Sequence, residues 1–402
     1  MESAPIWYVI LSGFSLAVIL GIVVHKTNFC TMGSISDWVN MGDKGRIYAW
    51  LLAIAVAMSG VLLLEELGVI SLGMTMPPYR TANFAWLRYL LGGLMFGVGM
   101  TLAGGCVNKT LIRIGGGNMK SLFVLLVGGI MAFLMTRTDF YHYAFHIWMD
   151  PLTINLQRFG IDNQQITTLV GSLFGVVDSG WFHILATAFI ILGLLFFIFR
   201  SRHFRSRFDN FLGGAGVGLL VVAGWYVTAG PLGQAAVEAA SFMDNPPQGV
   251  GAMSFTFVNP MGETLYYLVH PLDITLITFG VAILVGVIVG SFLYGLFTGN
   301  LRLEWFTSKK DFLRYLLGGF LMGTGGVLSM GCTFGQGITG FSTLALGSMI
   351  AFGSFILGSA VTMKVEYYRM VYDDAGFMGA LRAALADFRL LPRTSGTLKP
   401  IA

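Results

Sequence analysis

Three cysteines occur in the 402 residues: Cys30, Cys106 and Cys332. They are far apart in sequence and form no Cys-x-x-Cys pair, so neither a disulfide framework nor a zinc or iron–sulfur site has support from spacing. What remains is the chemistry of the free thiol, a soft, polarisable and weak S–H donor. That chemistry suits a soft, sulfur-bearing anion better than a hard one. Each cysteine lies where an apolar run breaks into polar residues: "VVHKTNFCTMGSISDW" around Cys30, "GGCVNKTLIRIGGGNMKS" after Gly104, and "GVLSMGCTFGQGITGFSTLALGS" around Cys332. Each has amide or hydroxyl companions, namely Thr27 and Asn28, Asn108 and Thr110, and Thr333 and Gln336. A lone cysteine in apolar sequence is first a small packing residue. Three of them at three such breaks point to a shared task.

The glycines beside these cysteines carry the second part of the reading. Gly105 and Gly331 precede two of the thiols, and Gly335 and Gly337 follow the third. Glycine lets backbone N–H groups approach a ligand, and a helix N-terminus there attracts an anion. Irregular backbone at membrane depth is tolerated only where it lines a cavity or is buried in protein. The breaks therefore read as broken or re-entrant helices. Lys26, Lys109, Arg113 and His25 read first as interfacial residues snorkelling to headgroups, with anion attraction, Lys109 foremost, as the alternative.

The elements that must position these residues are membrane helices. The chain is 55% hydrophobic and 11% charged, with a mean hydropathy of +0.75; soluble domains carry roughly 25% charged residues. Glycine, at 54 residues, is about twice its ordinary usage, as expected where helices pack closely. At about 20 apolar residues per crossing, nine spans are expected: 7–24, 48–65, 87–105, 120–136, 181–199, 211–229, 272–297, 313–331 and 346–363. A weaker apolar stretch near 166–177 reads as an amphipathic or partly inserted helix. The N-terminus lacks the basic region and cleavage site of a signal peptide, so the first span reads as retained.

Basic residues set the orientation. "RSRHFRSR" (Arg200–Arg207) follows the fifth span, and Lys44, Arg46, Lys120, Lys309, Lys310, Arg314, Arg382, Arg389 and Arg393 fall on the same side. The 230–271 segment has no Lys or Arg and falls on the other. The expectation is a bacterial inner-membrane protein, N-terminus periplasmic and C-terminus cytoplasmic, with Arg80, Arg137 and Arg158 as exceptions outside. Glu65 and Glu66 read as interface markers, with proton coupling the alternative.

Residues 88–106, "RYLLGGLMFGVGMTLAGGC", and 314–332, "RYLLGGFLMGTGGVLSMGC", agree at eleven of nineteen positions without a gap. On the orientation above the two copies run in opposite directions. The expected fold is therefore all-α and polytopic, with an inverted repeat and pseudo-two-fold symmetry, as in many secondary transporters. Its parts are a first repeat over 1–180, a connecting span and basic loop over 181–210, a second repeat over 211–370, and a cytoplasmic tail over 371–402. "GGAGVG" (Gly213–Gly218) lies inside a span with no strand before it, so it reads as packing rather than a nucleotide loop.

"GCTFGQGITGFSTLALGS" (Gly331–Ser348), "NFC" (Asn28–Cys30) and "GGC" (Gly104–Cys106) resemble the cysteine motifs of the YeeE/YedE family of membrane proteins, over roughly residues 7–370. After Cys106 this chain departs from the family's Thr-x-Gly-x-Gly form, with Lys109 and Arg113 in its place. The resemblance implies nine spanning helices with short helices dipping in from both sides. It also implies import of a sulfur oxyanion, thiosulfate first, handed between Cys30, Cys106 and Cys332 by transient S–H···S hydrogen bonds. A selenium-compound permease and, in another class, a membrane sulfurtransferase using persulfide chemistry are the alternatives. The partners so implied are a small sulfur or selenium anion, the lipid bilayer and a cytoplasmic sulfur-carrier protein. No enzyme activity, cofactor, metal or nucleic acid is expected.

Overall fold

The computed structural model describes residues 4–175, 180–372 and 376–392; Arg393 and the last two residues of the apolar stretch at 166–177 lie outside them. The described chain is helical apart from one antiparallel pair, β1 (Asn83–Phe84) with β2 (Ile154–Asn155). The helices are α1 (Ala4–Thr27), α2 (Thr31–Ser36), α3 (Gly45–Glu66), α4 (Trp86–Leu102), α5 (Val107–Gly115), α6 (Met119–Arg137), α7 (Ile147–Met149), α8 (Ile166–Leu173) and α9 (Gly180–Arg200). They continue as α10 (Arg202–Arg205), α11 (Phe208–Ala229), α12 (Pro231–Ser241), α13 (Val258–Val269), α14 (Phe279–Thr298), α15 (Lys309–Leu328), α16 (Leu346–Val371) and α17 (Phe377–Asp387). Among the described residues eight spans are long and apolar enough to cross a bilayer, in segments containing α1, α3, α4, α6, α9, α11, α14 and α16. The expected span at 313–331 is present as the 20-residue α15, whose charged first turns and five glycines make it less apolar. The expected helix near 166 is the short α8, packed on α9.

Small residues decide which helices touch. The α4 and α15 helices cross, and a Cβ on Gly92 would lie 2.8 Å from the carbonyl oxygen of Gly325. One on Gly325 would lie 2.6 Å from the carbonyl oxygen of Gly92, and Gly99 meets Gly318 in the same reciprocal way. On its other face α4 sets Gly93 against Ala351 and Ser354, and Gly97 against Phe355, all on α16. The α15 helix treats α6 alike: Gly319 meets Val124 and Val127, and Gly323 meets Gly128 and Met131. The remaining long helices pair as α1 with α14 and α3 with α11. Gly214 and Gly218, inside "GGAGVG", press against the carbonyls of Ala49 and Ala53 on α3, a packing role. Helix α9 is peripheral: Phe189, Leu192, Phe196 and Phe197 are exposed, an apolar surface suited to lipid.

The basic residues gather at one end. Lys120 at the start of α6 pairs with Asp311 at the start of α15 at 2.8 Å, and Arg314 pairs with Glu366 at 2.6 Å. At the opposite end, Arg80 grips Glu65 in a bidentate pair at 2.5 and 2.8 Å and donates from Nε to the carbonyl of Thr343. Glu65 is thus a structural anion, and an arginine at the sparsely basic end has its explanation. The pair's side chains are only 10% and 18% exposed. Removing one partner strands the other, so Arg80→Gln is expected to cost about 3 kcal/mol. Thermal unfolding in detergent checks this; Arg80→Gln with Glu65→Gln should recover part of the loss.

Candidate functional site

All three cysteines stand at the same kind of chain break. A long helix stops, and the residue two before each cysteine has left-handed backbone: Asn28 at φ 50°, Gly104 at φ 72° and Met330 at φ 59°. A left-handed residue ends a helix and redirects the chain. Glycine does so freely and asparagine tolerates it, whereas methionine is strained there. Cys30 and Cys106 then lie extended as the N-caps of α2 and α5. The Cys30 sulfur accepts from the Gly33 N–H at 3.4 Å, and the Cys332 sulfur from the Gly335 N–H at 3.4 Å. The turn after Cys332 widens into a π-helix over Gly335–Gly340, a form often found at functional sites. Each cysteine therefore opens a short helix inside the bundle.

These breaks meet in the interior. Cys30 and Cys106 are neighbours, and Thr333 is a neighbour of Cys106 on its other side. Cys106 thus stands between Cys30 and the Cys332–Thr333 turn. All three cysteines are reduced and buried. An aromatic cluster adjoins the Cys30 and Cys332 breaks. Phe334 contacts the rings of Phe29, Trp50, Phe255 and Phe257, and Trp50 stacks on Phe29 and on Phe352. Tyr79 ties the π-helical turn down by donating to the carbonyl of Gly335 at 2.9 Å.

Buried polar atoms almost always find partners, because leaving one unpaired costs about 1–3 kcal/mol. Among the described residues six buried side-chain polar atoms have no hydrogen-bond partner. Four belong to this site: the hydroxyls of Thr31 and Thr333, the Oδ1 of Asn108 and the indole Nε1 of Trp50. Thr31 and Thr333 each follow a cysteine, and Asn108 is two residues past Cys106. Polar atoms left unpaired beside three thiols have hydrogen-bonding capacity that a polar ligand can use. Toward the basic end, Lys109 donates to the Oδ1 of Asn28 at 2.6 Å and is, with Arg46, among the charges acting on Cys30. Arg46 pairs with Asp37 at 2.5 Å, and Arg113 donates to the carbonyl of Gly104.

The sequence-expected residues divide. Cys30, Cys106, Cys332, Asn108 and Thr333 come together with atoms to spare, and Asn28 and Lys109 form a polar link beside Cys30. Thr27 donates within its own helix to Val23. Gln336 is fully engaged, donating to the carbonyl of Ser329 and accepting from Ser348. The glycines after Cys332 open less space than expected. A Cβ on Gly335 would strike Thr256 at 2.4 Å and one on Gly337 the Phe352 ring at 2.5 Å, so both are packing positions. Gly105 and Gly331 sit against the side chains of Lys109 and Gln336. His25 joins α1 to α14 through the Ser291 hydroxyl at 2.9 Å. Sequence reasoning missed Thr31, Trp50, Tyr79 and Arg46. The dipeptide Cys-Thr, present at 30–31 and again at 332–333, is the signal that marks Thr31.

A polytopic helical bundle that gathers free thiols and unpaired polar atoms in its interior has the build of a membrane transport protein. A model of the family described as "Sulphur transport" matches residues 26–361, and the chain belongs to this family, the YeeE/YedE proteins. It is 26% identical to the thiosulfate transporter TsuA of Escherichia coli (strain K12), covering 90% of this chain and 95% of that one. It is 27% identical to the thiosulfate transporter TsuA of Spirochaeta thermophila, covering 88% and 97%.

Proposed function

We propose that this protein imports thiosulfate across the inner membrane, passing it along Cys332, Cys106 and Cys30 in that order. The observation that carries the reading is the convergence of three buried thiols with four unpaired polar atoms. A bare anion in such an interior is very costly. Here thiols, hydroxyls, an indole N–H and the positive end of the nine-residue α5 replace its water. The S–H group is a weak donor, so no single contact holds the ion firmly, and conduction needs sites that are shallow as well as close together. Adjacency supports the order: Thr333, next to Cys332 in sequence, neighbours Cys106, and Cys106 neighbours Cys30. Lys109 and Arg46 stand beyond Cys30 toward the basic end, which by the positive-inside rule faces the cytoplasm.

Residues 1–180 and 211–370, joined by 181–210, are read as inverted copies. The reciprocal contacts of Gly92 with Gly325 and of Gly99 with Gly318 support this, because residues 226 apart exchange roles there and the two strings run antiparallel. The relative TsuA proteins support thiosulfate as the substrate.

The test is uptake of labelled thiosulfate by cells lacking other sulfate and thiosulfate importers. Cells carrying the wild-type chain should accumulate label, and each Cys→Ala variant should lose most of the rate. Normal import by all three Ala variants would sink the relay. Persulfide on Cys106 or Cys332 that tracks activity in trapped protein would favour a sulfurtransferase instead. Lys109→Met, which removes the cation beside Cys30, is expected to lower the uptake rate about tenfold, as loss of a charged hydrogen-bonding partner does, while leaving membrane abundance unchanged.

A further inference from the structure

A polar cavity, of about 540 Å³, opens at the end of the molecule opposite the basic one. The β1–β2 pair and the start of α4 form its walls, with Arg88, Tyr141, Asp150, Arg158 and Met330 among its lining residues. Among the described arginines, Arg88 alone has a buried nitrogen without a hydrogen-bond partner. Its guanidinium lies over the Tyr141 ring at 5.0 Å, and its Nε is buried without a hydrogen-bond partner. Its repeat-equivalent Arg314 is neutralised by Glu366; the only carboxylate among the described lining residues, Asp150, faces His146 at 3.7 Å. Met330 meets the Tyr89 hydroxyl through its sulfur at 3.8 Å. It stands two residues before Cys332 at φ 59°, where Gly104 serves in the other copy. A methionine kept in backbone that suits glycine marks a side chain that is wanted.

We propose that this cavity captures the substrate anion before the first thiol: Arg88 binds its oxygens, and the Met330 thioether meets its terminal sulfur and passes it to Cys332. The inference rests on the thiosulfate reading and adds the selection step to it. A half-buried guanidinium facing a polar cavity with no carboxylate paired to it binds oxyanions strongly. Sulfate matches the charge of thiosulfate but offers no soft atom to a thioether. The cavity thus favours an oxyanion with one exposed sulfur.

The test compares uptake kinetics of the full chain with those of Arg88→Gln, Arg88→Lys, Met330→Leu and Met330→Gly. Arg88→Gln should raise KM for thiosulfate tenfold or more with maximal rate within about twofold, since the relay is untouched. Arg88→Lys should fall between it and wild type. Both methionine variants should weaken the preference for thiosulfate over competing sulfate. Met330→Gly, free of backbone strain, separates loss of the thioether from misfolding. In wild-type protein, thiosulfate should slow modification of Arg88 by phenylglyoxal, read by peptide mass spectrometry, so the cavity is tested even if a variant is not produced. Unchanged KM in Arg88→Gln, or no protection of Arg88, overturns the capture site. Full selectivity in Met330→Gly overturns the thioether role. Absence of thiosulfate import by the wild-type chain overturns the transport reading itself, a separate result.

Discussion

Replacing Cys106 by alanine is expected to reduce thiosulfate uptake thirty- to a hundredfold, with the protein present in the membrane at wild-type level. Cys106 neighbours Cys30 on one side and Thr333 on the other, so on the proposed route its loss cuts the path in the middle. An anion crossing that gap would lack one donor in a water-poor interior. Leaving a buried charged group short of a hydrogen bond costs about 2–3 kcal/mol, which sets the size of the rate loss. Cys106→Ser keeps a donor but makes it harder and shorter, so it should rescue only part of the rate. Packing alone would predict the reverse order of severity, because serine adds a polar hydroxyl to a site that is 1% exposed, whereas alanine does not. The two variants, read by initial uptake rate with membrane abundance measured alongside, therefore separate a transport role from a packing role.

The second large effect concerns the crossing of α4 and α15. Gly325→Ala would place a methyl group 2.6 Å from both the Gly92 carbonyl oxygen and the Phe96 nitrogen, and Gly99→Ala one 2.7 Å from the Met322 nitrogen. Both obstacles are backbone, which cannot swing aside as a side chain can. Overpacking of this kind costs about 1–3 kcal/mol or more, and in a membrane, where close approach is the main attraction between helices, the helices would part. Both variants should lower the unfolding temperature in detergent and reduce uptake together. Gly99 and Gly325 are 226 residues apart and equivalent in the two copies, so their losses should be of the same size. Gly353 offers the contrast: open space surrounds it, so Gly353→Ala on α16 should be neutral or slightly stabilising. Unequal losses at the paired glycines would argue against equivalence of the two copies.

The amino-acid sequence by itself determined the class of protein, the place of nearly every long helix, and the three thiols. Hydropathy fixes spans because lipid offers no partner to a bare backbone. The Gly-Cys endings of the two matching strings were legible because an ungapped match of that length preserves the contacts on both sides. The sequence also placed Asn108 and Thr333 beside thiols, where the structure leaves their polar atoms unpaired. Only the tertiary structure decided what each polar companion does. Gln336 and Thr333 look equally available in "CTFGQ", yet Gln336 is held between Ser329 and Ser348 while Thr333 faces Cys106. Gly335 and Gly337 look like openings and prove to be contact points for Thr256 and Phe352. Trp50 and Arg88 carry no local mark at all. Their importance comes from which neighbours arrive, and fail to arrive, from elements as many as 300 residues away. Hydrogen bonding and packing are settled by such distant neighbours, whereas burial in lipid is settled by composition alone, and that is why the spans could be read in sequence and the site's division of labour could not.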